Sequence, residues 1–314
     1  MPAFRTELHP APASSPISLS DPLLALGSCF ADQIGAALAA YRLSVMRNPF
    51  GVLFNPVAVS RLLTAPPDLP EAGFVRRDER SVHLFMHSAL NAESPAALRK
   101  KIEERHQEVR TLLPSLRYVL LTWGTAWVYE DQETGAVVAN CHKQPAKRFR
   151  KRLLEAEEIR TATVQLLTQL PPQAQVILTV SPVRHLRDTL PLNAVSKSLL
   201  RVAAHELSER YERIHYFPAY ELLLDDLRDY RFFDTDLLHP SKEAVEYIRE
   251  KFFAAWLDTE AQAFVRRWAK IQRKLAHRPF NPDSQAHQQF IARLREEVQA
   301  VSDVVDVSDV LRTL

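Results

Sequence analysis

Four short, nearly uninterrupted apolar runs separated by long helical patterns constrain this chain most: Leu23–Leu26, Tyr118–Trp123, Gln175–Val180 and Ile214–Pro218. Runs of this length without polar alternation predict strands buried on both faces. The stretches between them carry apolar residues at helical spacing, as Ile34, Leu38 and Tyr41 do. Strands alternating with helices predict a parallel sheet with helices on both faces, and right-handed crossovers then gather the strand carboxyl ends on one edge. The first and second runs break at Gly27 and Gly124, so turns at that edge are the first place to look for chemistry.

Helices are expected over about 31–41, 57–63, 95–112 (opened by Pro95), 152–170, 193–213 and 241–257. Trp127–Tyr129 and Val137–Val138 predict a hairpin, and residues 64–95, weakly periodic and rich in His, predict an irregular excursion or lid. Residues 1–22, rich in Pro, Ser and Ala, predict an extended surface segment; 23–257 form the α/β domain. Residues 258–314 carry no strand signal. Phe264, Trp268 and Ile271 predict a helical hairpin broken near Pro279–Pro282, suited to capping the core or to a homo-oligomer contact.

With 40 basic and 38 acidic residues the net charge is +2, which gives no reason to expect nucleic acid. No apolar run reaches the length of a membrane span and the N-terminus lacks a signal-peptide core, so a cytoplasmic protein is expected. The two cysteines, Cys29 and Cys141, make no disulfide framework and are expected as free thiols.

The chemistry-bearing stretches are two. Gly27-Ser28-Cys29-Phe30-Ala31 places two nucleophiles on a strand-to-helix turn. Asp236-Leu237-Leu238-His239-Pro240 places a carboxylate three residues before an imidazole, so that one ring nitrogen is held and the other stays free as a base; Pro240 is expected at the first helical position. Read as bland structure, the same residues are a surface Asp and a capping His.

Together with the glycine loops at Gly51 and Gly124, these stretches resemble the GSCFA family of the SGNH or GDSL-like hydrolase superfamily, over most of residues 20–257 and in matching order. The resemblance implies a three-layer, flavodoxin-like core and a Ser-His-Asp type acyl-transfer site, with His239 as base and Asp236 as its orienting group. Laying the superfamily's Gly-Asp-Ser register on Gly27-Ser28-Cys29 puts Cys29 in the nucleophile's place, ahead of Ser28. A thiol at a helix N-terminus beside a His also ionises readily. The resemblance further implies an oxyanion hole from the nucleophile's N–H, a glycine N–H and an Asn. Gly51 fits the glycine, but Gly124-Thr125-Ala126 carries Ala at the Asn position, leaving Asn48, Asn55, Asn140 or His142 as replacements.

His87, Gly124, Asn140, His142, Arg184 and His185 are candidate substrate contacts on the strand-carboxyl side, suited to an anionic or hydroxyl-rich group. Ser196-Lys197 in the following helix could add a cation to this edge, although Lys143 and Lys197 read more simply as ordinary surface lysines. The cysteines and histidines match no zinc spacing and Gly27-Ser28-Cys29 is no P-loop, so no metal and no cofactor are expected. The expected activity is an esterase or acyltransferase acting on a small acyl ester or thioester; the alternative is a non-catalytic module binding a glycan or an anionic metabolite.

Overall fold

The computed structural model describes residues 5–64 and 69–314. The chain runs β1 (Leu23–Gly27), α1 (Cys29–Ala40), β2 (Val45–Arg47), α2 (Pro56–Thr64), β3 (Phe74–Arg77), β4 (Arg80–His83), α3 (Pro95–Leu112), β5 (Tyr118–Trp123) and β6 (Trp127–Asp131). It continues through β7 (Val137–Val138), β8 (Phe149–Leu153), α4 (Ala156–Gln169), β9 (Gln175–Val180), α5 (Thr189–Arg210), β10 (Ile214–Tyr216) and α6 (Ala219–Glu221), which passes into a π turn over Leu222–Leu227. The last helices are α7 (Lys242–Trp256), α8 (Thr259–Leu275), α9 (Gln285–Gln299) and α10 (Ser308–Thr313).

The central sheet has five strands in the order β10-β9-β5-β1-β2, every neighbouring pair parallel. Period-two side-chain alternation divides its residues between two cores. Leu24, Leu26, Val119, Leu121, Val176 and Leu178 join the apolar faces of α2, α3, α4 and α5. Leu23, Ala25, Tyr118, Leu120 and Ile177 join α1 and α7 on the other side. The result is a three-layer α/β fold. Taken in chain order the parallel strands run 2-1-3-4-5, so the order reverses between β1 and β5, where ligands of open α/β sheets collect.

Three features depart from the sequence expectation. The excursion holds a β3-β4 hairpin, while residues 65–68 lie outside the described residues. The β6-β7 hairpin gains a third strand, β8, giving the order β7-β6-β8; Arg150 and Arg152 both reach Glu130 across it. Helix α4 therefore starts at Ala156 rather than near 152, where Glu155 and Glu158 form a capping box.

The N-terminal segment lies along α7, where Ile17 is fully buried and bridges Leu257. In the C-terminal helices the stripe Phe264, Trp268 and Ile271 is covered within the chain by Leu294, Val298 and Val301. Trp268 Nε1 donates to the Ala40 carbonyl at 2.9 Å, locking α8 to the end of α1. Trp268→Ala is expected to cost about 3–5 kcal/mol, and Trp268→Phe about 1 kcal/mol for the lost N–H bond, both read as shifts of the denaturation midpoint. Among the described residues no helix is long and apolar enough to cross a membrane.

Candidate active site

At the end of β1 the chain must turn away from Thr122 of β5, with which Gly27 is paired. Gly27 does so at φ +121°, and a Cβ there would sit 2.0 Å from the Thr122 carbonyl oxygen. The Ser28 N–H then donates to that same oxygen at 3.0 Å. Ser28 is extended and buried, and its Oγ accepts from the Phe30 N–H at 3.3 Å as the N-cap of α1. Cys29 follows as the first residue of the helix, half-buried, as a free thiol. Burial pushes this thiol above its ordinary pKa, while the N–H groups of Phe30 and Cys29 and the charge of Lys197 pull it down. The resting sulfur is therefore a protonated thiol.

The loop after β2 backs this turn. Asn48 Oδ1 accepts from the Gly27 N–H at 2.9 Å, and Leu53 N–H donates to the Gly27 carbonyl at 2.8 Å. Asn48 Nδ2 is buried without a partner, so one amide donor remains beside the Gly27–Cys29 turn. Gly51 N–H closes onto the Asn48 carbonyl at 2.7 Å, and Asn55 Oδ1 accepts from Ala58 N–H at 2.8 Å, capping α2. The Gly124 N–H likewise goes to the Phe54 carbonyl at 2.7 Å.

The second loop is held by one carboxylate. Asp236 Oδ1 accepts from the Leu238 and His239 N–H groups at 2.8 and 3.0 Å, and Oδ2 lies 2.6 Å from His239 Nδ1. Leu237 at φ +58° lets the chain curl around that carboxylate. Arg184 N–H donates to the Leu238 carbonyl at 3.1 Å, and the Arg184 guanidinium stacks 3.9 Å from the Phe233 ring, so the loop is docked on the segment after β9. Ser241, not Pro240, opens α7: its Oγ accepts from Ala244 N–H at 3.3 Å, and Pro240 precedes the cap. The Arg184–Leu238 bond sets this loop just beyond the end of β9, and because β9, β5 and β1 run parallel, that is the sheet edge at which the Gly27–Cys29 turn leaves β1.

The His239 N–H, the His239 ring and the Leu238 N–H together hold the Asp236 carboxyl down at about 2. A folded pKa below the ordinary value stabilises the loop above the carboxylate range, and that stabilisation is lost as the pH falls through about 2. A carboxyl titration by NMR is expected to place the Asp236 midpoint near 2. A midpoint in the ordinary range would mean that the loop bonds do not persist in solution.

The remaining sequence candidates fall into two groups. His185 lies at the edge: its ring packs edge-on to Phe54 at 5.8 Å and its Nε2 is buried without a partner. Burial, then the charge of Lys197, pushes its pKa to about 4, so it is a neutral imidazole. Asn140 and His142 instead tie the excursion together. Asn140 Oδ1 accepts from His142 N–H at 2.8 Å, and the buried His142 ring places Nε2 2.9 Å from the His83 carbonyl. His87 packs under Gly51, where a Cβ would come within 2.4 Å of the His87 Cβ. Among the described residues no three His, Cys, Asp or Glu side chains converge as a metal site.

Lys197 corrects the surface expectation outright. It is 1% exposed, and its ammonium donates to the Gly124 carbonyl at 2.6 Å and the Ser181 carbonyl at 2.7 Å, bridging the carboxyl ends of β5 and β9. A signal for it stands in the helix period. Asn193, Ser196, Lys197, Leu200, Ala204 and Leu207 share the buried face of α5, which makes Lys197 a cation on an inward stripe.

Residues 22–252 match the model described as the GSCFA family, and residues 268–314 match the GSCFA domain protein, C-terminal domain. No curated protein matches the chain. The first match spans well over half the chain and contains the Gly27–Ala31 turn, the Gly51 and Gly124 loops and the Asp236–His239 pair: the chain belongs to the GSCFA family.

Proposed function

We propose that this protein is an esterase or acyltransferase of the SGNH or GDSL-like kind, working through an acyl-enzyme on Cys29. The observation that carries this reading is the 2.6 Å Asp236–His239 contact, which holds Nδ1 and leaves Nε2 open at the sheet edge where Cys29 begins α1. In the reading, Cys29 Sγ bonds to the carbonyl carbon of an ester or thioester as its proton passes to His239 Nε2. The bond to the leaving oxygen or sulfur then breaks, and that atom takes the proton from His239. Water or an acceptor hydroxyl attacks the acyl-sulfur carbon next, restoring the thiol. The Cys29 N–H and Asn48 Nδ2 are the donors for the developing oxyanion. A working thiol suits a reducing compartment, in keeping with a cytoplasmic protein.

Incubating the full chain with a short-chain acyl thioester and mapping the adduct by mass spectrometry tests the reading; the acyl mass is expected on the peptide carrying Cys29. One observation favours the second reading, a glycan- or anion-binding module without catalysis: the Gly51 and Gly124 N–H groups are both committed to loop bonds. Absence of both adduct and turnover would select it.

A further inference from the structure

We propose that the outer face of α5 is where two copies of this chain meet, packed antiparallel about a two-fold axis between Val195 and Leu199. Over its first half this helix is amphipathic in the reverse sense: Asn193, Ser196 and Lys197 are buried, while Leu192, Val195 and Val202 are 42–51% exposed and Leu199 is partly so. Of the ten large apolar side chains that stand exposed among the described residues, five lie between 186 and 202, a concentration unlike the single scattered residues that any surface carries. Helix propensity gives no reason for them either, since valine at a solvated helix position is a poorer helix former than alanine or lysine.

The spacing names the partner. Leu192, Val195, Leu199 and Val202 recur at intervals of three and four, the a and d positions of two successive heptads, which is the pattern one helix presents to another. A two-fold axis between Val195 and Leu199 sets Val195 on Leu199 of the partner subunit and Leu192 on Val202 of the partner subunit, so each copy supplies the same surface. The charges at the two ends fix the direction. Before the helix Asp188 is paired with Lys151, which leaves Arg187 without an ion pair among the described residues. Towards its end Glu206 is paired with Arg160, which leaves Glu209 likewise without one. An antiparallel pair sets each Arg187 beside Glu209 of the partner subunit, whereas a parallel pair sets like charges together. Because α5 starts just beyond His185, the partner's Glu209 comes to the sheet edge that holds the candidate site.

Sedimentation velocity on the full chain, with mass read across a concentration series, tests this. A species of twice 35.8 kDa is expected. Val195→Glu with Val202→Glu is expected to weaken the dimer at least about a hundredfold and to keep a cooperative melting transition, because both side chains are exposed in the single chain. Arg187→Glu alone is expected to weaken it about tenfold, and Arg187→Glu with Glu209→Arg to recover it, since the swap restores both pairs across the axis. A wild-type chain that stays at 35.8 kDa throughout the series overturns the proposal, as does a dimer indifferent to the stripe variant. A dimer that the stripe variant breaks and the charge swap does not recover overturns the antiparallel arrangement. If a monomeric wild type instead floats with phosphatidylcholine vesicles and the stripe variant does not, the face belongs to a lipid surface and the second copy is ruled out. Mass in solution needs no acyl transfer, so this result and that of the acyl-enzyme reading are independent.

Discussion

Replacing Cys29 by Ala is expected to abolish the acyl adduct and lower turnover of a short-chain thioester by about 10⁴-fold or more, the scale seen when a nucleophile is removed from a triad. Ser28→Ala is expected to keep the adduct and to lower stability by about 1 kcal/mol. The contrast follows from what each side chain already does. Ser28 Oγ caps α1 by accepting from Phe30 N–H and is buried, so attack by it would uncap the helix. Cys29 has no such duty: its sulfur lies half-exposed on the first helical turn, with the N–H groups of Phe30 and Cys29 beside it. Burial keeps the resting thiol protonated, so the rate should also depend on His239. His239→Ala is then expected to retain slow alkylation by iodoacetamide at high pH while losing thioester turnover at neutral pH. Retained turnover in Cys29→Ala together with its loss in Ser28→Ala would move the nucleophile to Ser28.

The architecture was legible because strands covered on both faces need no polar alternation. β5 and β9 stand where unbroken apolar runs placed them, and α3 begins at the Pro95 that announces it, behind a Ser94 cap. What escaped notice lacks that signature. β2 is three residues long at the sheet edge, and β8, Phe-Arg-Lys-Arg-Leu, is paired on one side only and held by Arg150 and Arg152 to Glu130. Its charged residues read as a helix start. At the site, residue type and spacing suffice for the Asp236–His239 contact because three residues of loop close on one carboxylate. Spacing could not say whether a backbone N–H is free. Gly51 fits an oxyanion donor and Gly124 a substrate contact by position, yet both N–H groups close loops that shape the turn. Lys197 is hard to place for the opposite reason, since a lysine reads as solvated unless its neighbours at helical spacing are weighed with it.

Gly27→Ala is the second large effect, expected to destabilise the protein by more than about 3 kcal/mol and to remove acyl transfer with it. Two costs combine. At φ +121° any side chain is strained, and the added Cβ would meet the Thr122 carbonyl oxygen at 2.0 Å, far inside contact distance. That oxygen has little room to retreat: it accepts from Ser28 N–H, and Thr122 lies in β5 between β1 and β9. Relief must come from Gly27 itself, by rotating the turn that carries Ser28 and Cys29. Gly135→Ala is the internal control. Gly135 also has a positive φ, +69°, but nothing lies within 4 Å of its added Cβ, so only the conformational penalty of about 1 kcal/mol remains. Denaturant midpoints of the two variants, measured beside thioester turnover, separate close approach from backbone strain. Equal, small losses in both would mean that β1 and β5 are not held as closely at Gly27 as the turn requires.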